Sequence, residues 1–223
     1  MDAFIFIINI IPELAKGLVT TLQISLVSFA LGLFLAVFLA PMATLFPLPL
    51  PLIARGYIEV FRGTPMLVQL LLIYFGLPSM GIKLDAYTAC VLAIGLNSAA
   101  YQAEILRGAM KSIPQTQILS AESLGLSLGQ TYRYVVLPQA LRVAIPALVN
   151  EFVTLIKQSS LASVIGVVEL TRRGEYLVAY TFRALEVYIA VALIYFVVCS
   201  VASQATRLLE RRLRIPGYER GST

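Results

Sequence analysis

Four long stretches of this chain carry no charged side chain: Lys16 to Arg55, Arg62 to Lys83, Asp85 to Glu104 and Glu186 to Arg207 bound them. A helix needs roughly 20 apolar residues to cross a bilayer. In lipid every backbone N–H and C=O must find its partner within the protein, which leaves only helices and closed barrels. Nothing here alternates as a barrel strand does, so an all-α membrane protein is expected. Spans are predicted near 17–40, 63–80, 86–107, 143–167 and 186–206, about five in a single transmembrane domain covering 1–223. Pro41, Pro47, Pro49 and Pro51 break the first apolar run, so 41–53 reads as a connector or short interfacial segment.

Composition agrees. Only 13% of residues are charged and mean hydropathy is +0.85, against about 25% charged in a soluble domain. The net charge of +5 fits basic loops beside membrane spans better than a nucleic-acid partner. With no histidine, haem ligation and most transition-metal sites are unexpected, and no metal site is predicted. Cys90 and Cys199 lie in apolar runs and read as small hydrophobes, not a redox pair. The N-terminus lacks a basic n-region, so no signal peptide is expected. Placing the N-terminus outside and the C-terminus inside puts most of the seventeen Lys and Arg residues in the cytoplasm, Arg55, Arg62, Arg107, Lys111, Arg133, Arg142 and Arg207 among them. The run Arg207–Arg214 then anchors the last helix at that face.

One segment does not belong to the lipid. Residues 112–140 are polar and basic between apolar neighbours. Residues 115–124 have the makings of a short amphipathic helix, with Ile118, Leu119 and Leu126 available for packing. Gly125 suits a left-handed turn that ends it. Leu137-Pro138 suits the start of the next helix. The result is a rigid knob on the cytoplasmic face, able to pass a partner's motion to the spans. The chain lacks a nucleotide-binding P-loop. Its nearest approach, Gly125-Leu-Ser-Leu-Gly129-Gln-Thr131, has the wrong spacing and no lysine.

Polar side chains inside the spans are the other signal, because a charge at the bilayer centre costs roughly 2.5–3.5 kcal/mol on insertion scales. Asn97, Tyr101 and Glu104 follow i, i+4, i+7 and share one face of the third span. Asn150, Glu151, Thr154, Lys157 and Gln158 form a stripe on the fourth, extended by Ser159, Ser160 and Ser163. Glu104 and Glu151 either pair across helices with Arg107 or Lys157, or line a ligand site. Asn97 either caps an interrupted helix or meets the ligand. Thr64 and Gln69 are further candidates.

These residues fall in motifs. Arg62-Gly-Thr-Pro65-Met-Leu-Val-Gln69, Asn97-Ser-Ala-Ala-Tyr101-Gln-Ala-Glu104-Ile-Leu-Arg107-Gly108 and Lys157-Gln-Ser-Ser-Leu-Ala-Ser-Val-Ile-Gly166 stand in order. Gly125, Val135, Leu137 and Pro138 match the signature loop Glu-Ala-Ala-x3-Gly-x9-Ile-x-Leu-Pro. Over nearly its whole length the chain resembles the permease subunits of polar amino-acid ABC importers of the bacterial inner membrane. It departs at Leu119, where the loop's glutamate would stand; Ser120 and Ala121 follow, and Glu122 lies nearby.

The resemblance implies a type I importer permease fold and a transport subunit, not an enzyme. No cofactor is implied on this chain; ATP and Mg²⁺ would sit on two separate ATPase subunits. Further implied partners are a second permease chain, an extracytoplasmic amino-acid-binding protein, a polar amino acid and membrane lipid. ATPase coupling would fall to Ser120, Ala121, Glu122, Gly125, Leu137 and Pro138. Ligand contact would fall to Glu104, Glu151, Asn97, Thr64, Gln69, Tyr101, Gln158 and Ser160. The Glu151 carboxylate points to a cationic amino acid such as arginine, lysine or histidine; a glutamine or glutamate importer is the alternative. Outside this class stand an ion-coupled transporter or channel, for which intramembrane Glu and Lys suit a proton relay, and an assembly subunit without a pathway.

Overall fold

The computed structural model describes residues 3–213, with side chains to residue 204. The side chains of Arg207–Arg214, expected to anchor the last helix, lie outside the described residues. Helices are α1 (Ala3–Met42), α2 (Leu50–Gly63), α3 (Met66–Leu71), α4 (Ala86–Lys111), α5 (Gln115–Ser123), α6 (Leu128–Thr131), α7 (Leu137–Gln158), α8 (Leu170–Thr181) and α9 (Ala184–Leu213). No strand occurs among the described residues. Four helical stretches are long and apolar enough to cross a membrane, and a fifth is gained if α2 and the segment Met66–Met80 count as one broken span.

Several boundaries differ from the sequence expectation, each for a local reason. The first helix begins at Ala3, because Pro12 removes one backbone donor without ending a run that is apolar on every side. The Pro-rich segment is partly helical: Pro51 falls in the first turn of α2, where its missing N–H goes unmissed. Residues 63–80 are not one straight helix. Pro65 forces Thr64 into an extended conformation, and α2 meets the following helix at 105°. Past α3 the chain runs through a π turn, Leu72–Gly76, and a 3-10 turn, Leu77–Met80. Beyond α7, Ser159–Ile165 is a 3-10 turn, so Ser159, Ser160 and Ser163 do not continue the helical stripe. The hydroxyls of Ser159 and Ser160 donate back to Ile156 and Lys157 carbonyls, and Gly166 ends the turn at φ +86°.

The centre of the molecule is the pair α1 and α4. Gly32 allows their close approach: a Cβ there would lie 2.7 Å from Gln102 Nε2 and 3.2 Å from the Gly95 carbonyl. Gly95 in turn faces the Leu31 side chain, at 2.7 Å from where its Cβ would sit. Water does not drive helices together in lipid, so small residues and interhelical hydrogen bonds carry the packing. Ala36, Ala40, Ala100 and Ala103 continue the contact towards α2 and α7, and Ser28 donates to the Val91 carbonyl at 3.2 Å. Asp85 caps α4 by accepting from Thr88 N at 3.0 Å. Hydrogen bonding by Thr88 holds its carboxyl below the ordinary range. Large apolar side chains on the outward faces of α1 and α9, Phe34, Phe38, Leu193 and Phe196 among them, remain exposed, as a lipid-facing surface requires.

Replacing Gly32 with leucine should destabilise the fold by about 1–3 kcal/mol or more through overpacking. Gly56→Ala, with nothing within 4 Å of its Cβ position, should be neutral. Thermal unfolding in detergent, followed by loss of the monodisperse peak, checks both.

Candidate functional site

The break between α2 and α3 leaves carbonyls at the end of α2 without helical partners. Side chains fill the gap. Gln69 Nε2 donates to the Phe61 carbonyl (2.8 Å), the Thr64 carbonyl (3.1 Å) and Thr64 Oγ1 (2.7 Å). Asn97 Nδ2 donates to the Phe61 carbonyl and to Gln69 Oε1, both at 3.0 Å. Asn97 and Gln69 are buried. The break therefore sits level with Asn97, near the middle of α4. Three candidates named from the sequence meet here, their polar atoms committed to holding a bent backbone.

Arg62, assigned from the sequence to the cytoplasmic loops, lies in the last turn of α2 against α4. Its guanidinium stacks over the Tyr101 ring, 5.4 Å from the centroid, and approaches Glu104 Oε2 at 3.8 Å. Glu104 is held more firmly by Arg107, which donates from Nε at 2.7 Å and Nη2 at 2.6 Å. That pair lies within α4, not across helices. Glu104 also lines a cleft of about 260 Å³ between α4 and α7, walled by Gly108, Ala109, Ser112, Ala144 and Ala147.

Glu151 behaves differently. Its one hydrogen bond is from the buried Ser98 hydroxyl at 2.8 Å, and Ser98 accepts from Gln102 Nε2 at 2.9 Å. Gln102 Nε2 also reaches the Phe29 carbonyl at 3.2 Å, which ties the network to α1. Lys157 does not neutralise Glu151: it is exposed and joins no ion pair among the described residues. Thr154 donates back to the Asn150 carbonyl, and Ser160 to that of Lys157. The Gln158 side-chain oxygen is buried without a hydrogen bond among the described residues.

In the polar loop, α5 ends through Leu124, and Gly125 takes φ +84° while donating to the Glu122 carbonyl at 2.9 Å. The Leu126 N–H returns to the Ala121 carbonyl, completing a Schellman-type end. Ala121 is buried, and Ser120 and Glu122 are exposed. Ser127 and Gln130 form a capping box on α6. The chain then winds through a π turn, Tyr132–Val136, into α7 at Leu137 and Pro138, both exposed at its first turn. Gln139 donates to Gln117, so α5 rests on the start of α7. Ile118 packs on the core beside Val136, whereas Leu119, Leu124, Leu128 and Tyr134 stand out from the loop, Leu124 with 81% of its surface exposed.

Reading the sequence missed Ser98 and Gln102, although their i, i+4 spacing inside a charge-free run was visible. It also missed Glu169. This carboxylate is fully buried and caps α8 by accepting from the N–H groups of Thr171 and Arg172, while Tyr195 of α9 donates to it at 2.9 Å. The cap is local, but the burial comes from afar: Thr21 of α1 donates to the same carboxylate at 3.4 Å, and Tyr195 belongs to α9.

Long apolar helices, a helix bent at a buried polar break and an exposed helical loop are the features of a membrane transport subunit. Residues 29–215 match the family described as binding-protein-dependent transport system inner membrane component. The chain is 44% identical over 207 residues to the glutamine transport system permease protein GlnP of Escherichia coli K12, covering 92% of this chain and 94% of that one. It is 39% identical to the arginine transport system permease protein ArtQ of Bacillus subtilis 168, again covering 92% and 94%. Its structure superposes with TM-score 0.90 and 41% identity on an amino acid ABC transporter solved with histidines, covering 95% of this chain and 99% of that one. The inward-facing MetNI methionine ABC transporter, at 20% identity and TM-score 0.80, shares the fold. The chain belongs to the binding-protein-dependent transport system inner membrane component family. It is a permease subunit of an ABC importer and resides in the inner membrane.

Asn97→Leu and Gln69→Leu should each destabilise the fold by about 1–3 kcal/mol by leaving buried polar groups unsatisfied. The double variant should cost less than the sum, since both serve the Phe61 carbonyl. A double-mutant cycle on unfolding in detergent measures this.

Proposed function

We propose that this permease conducts a polar amino acid, with a cationic one favoured, along the face formed by Tyr101, Glu104 and Glu151. Asn97, Gln69 and Thr64 hold that face in shape, and Gln158 and Ser160 flank its far end. The observation that carries the reading is Glu151: a largely buried carboxylate with one hydroxyl donor and no basic partner among the described residues. Such a group stays costly until a cation reaches it. The arginine transport permease among the relatives supports the same class. One observation favours glutamine instead: the 44% identity to a glutamine transport permease.

The orientation is N-terminus outside and C-terminus inside, following the basic residues. The platform at 112–140 docks an ATPase subunit through Leu119, Leu124 and Leu128, with Ser120, Ala121, Glu122 and Gly125 shaping the knob and Leu137-Pro138 passing its movement to α7. A second permease chain completes the pathway, each permease engages one of two ATPases, and the binding protein docks outside near 80–86 and 167–185. ATP and Mg²⁺ act on the ATPases. Their closure turns the paired permeases outward, and hydrolysis lets them return.

Uptake by proteoliposomes carrying the whole complex, with ATP on the ATPase side, tests the reading. Labelled arginine should lead, and Glu151→Gln should lower its uptake about tenfold or more. If glutamine leads and Glu151→Gln changes little, the ligand is neutral. Uptake indifferent to ATP would refute the importer itself. Leu124→Asp with Leu128→Asp should abolish ATP-driven uptake and release the ATPase on size-exclusion chromatography.

A further inference from the structure

The site described above leaves Arg62 without a task. It lies beside Tyr101 of α4, at the break between α2 and α3. Its side chain keeps 41% of its surface exposed. It donates no hydrogen bond among the described residues. Its nearest anion, Glu104, already accepts two short hydrogen bonds from Arg107 and meets Arg62 only at 3.8 Å. The cluster of two guanidinium groups and one carboxylate thus carries an uncompensated positive charge. The Tyr101 ring lies beneath the guanidinium, 5.4 Å from centroid to Cζ, and offers a cation–π contact that leaves the N–H groups free to donate. A planar fork with unused donors is the group best matched to a carboxylate. Glu104, at the other side of this cluster, also borders an open cleft of about 260 Å³ between α4 and α7, which Arg62 itself does not line.

We infer that Arg62 receives the α-carboxylate of the transported amino acid, so that the permease itself, and not only its binding protein, requires an α-carboxylate in its ligand. The inference rests on the amino-acid reading proposed above. It is independent of the side-chain class, because arginine and glutamine share that carboxylate. Arg107 is bound up with Glu104 and cannot serve in its place.

The test uses the purified permease–ATPase complex in detergent, without binding protein. Equilibrium binding of labelled arginine and glutamine is measured, with competition by each amino acid and by its decarboxylated amine. The native complex should bind an amino acid and prefer it to its amine by roughly tenfold or more. Arg62→Gln should weaken amino-acid binding to the level of the amine, and Arg62→Lys should restore part of the preference. Size-exclusion chromatography establishes that each variant complex is intact. If the native complex binds an amino acid and Arg62→Gln keeps the full preference, the assignment of Arg62 is wrong. If the native complex binds amino acid and amine equally, no carboxylate receptor exists in the permease. If it binds neither, the intramembrane ligand site proposed above fails, and this inference with it. A dissociated Arg62→Gln complex passes the decision to Arg62→Lys, which must then bind more weakly than the native complex while keeping a preference for the acid.

Discussion

A bent backbone inside a membrane must find all its hydrogen bonds within the protein, and the junction of α2 and α3 shows how much follows from that. Pro65 makes the bend, and the bend frees the Phe61 carbonyl where no water is on hand to satisfy it. Gln69 and Asn97 meet it together, one from the helix after the break and one from α4. The two side chains also bond each other, so the break is locked to the middle of α4. Because of that lock, Arg62 stands over Tyr101 and Glu104 faces the cleft beside α7. The placement of these polar side chains is a consequence of how one carbonyl is satisfied.

Charge is distributed around this frame unevenly. Glu104 is neutralised within its own helix, Arg62 is nearly free, and Glu151 relies on a serine. A protein that needed only stability would pair these groups or replace them with apolar ones, since buried unpaired charge is destabilising. Their retention is what the proposed pathway for a polar ligand would require. The tight α1–α4 contact through Gly32 and Gly95 forms the close-packed centre beside which these groups lie. The loop knob, clamped by Gln139 to the first turn of α7, connects the same helix that carries Glu151 to the cytoplasmic face. Packed elements shift as units, so movement at α5 reaches the intramembrane carboxylate without a flexible link between them.

Much of this was legible in the chain. The charge-free runs announced a helical membrane protein, and the polar interval at 112–140 marked a stretch that the structure folds as short helices and turns. Gly125 marked a left-handed turn, and the structure places one there at φ +84°. Asn97 was readable as a cap for an interrupted helix. Other readings met tertiary overrides. Lys157 stands exposed and unpaired with Glu151, and Arg62, read only as a loop charge, lies in the last turn of α2 over Tyr101 of α4. Glu169 could be seen locally only as a helix cap; its burial depends on Thr21 and Tyr195, which are remote in the chain.

The division has a physical basis. The sequence by itself determined that the chain lives in lipid as helices and which polar residues sit among them, but not where each helix starts and breaks. Those properties depend on transfer free energy and on the local limits of proline and glycine, which act within a few residues. Only the tertiary structure decided which polar groups are satisfied and which remain open. Glu104 is saturated, Arg62 and Glu151 are not, and Asn97 is spent on a backbone carbonyl. Such outcomes depend on distances of a few ångströms between helices far apart in the chain, set by the close packing that glycine and alanine permit between α1 and α4 and by the side chains that cross from α4 to α2 and α3.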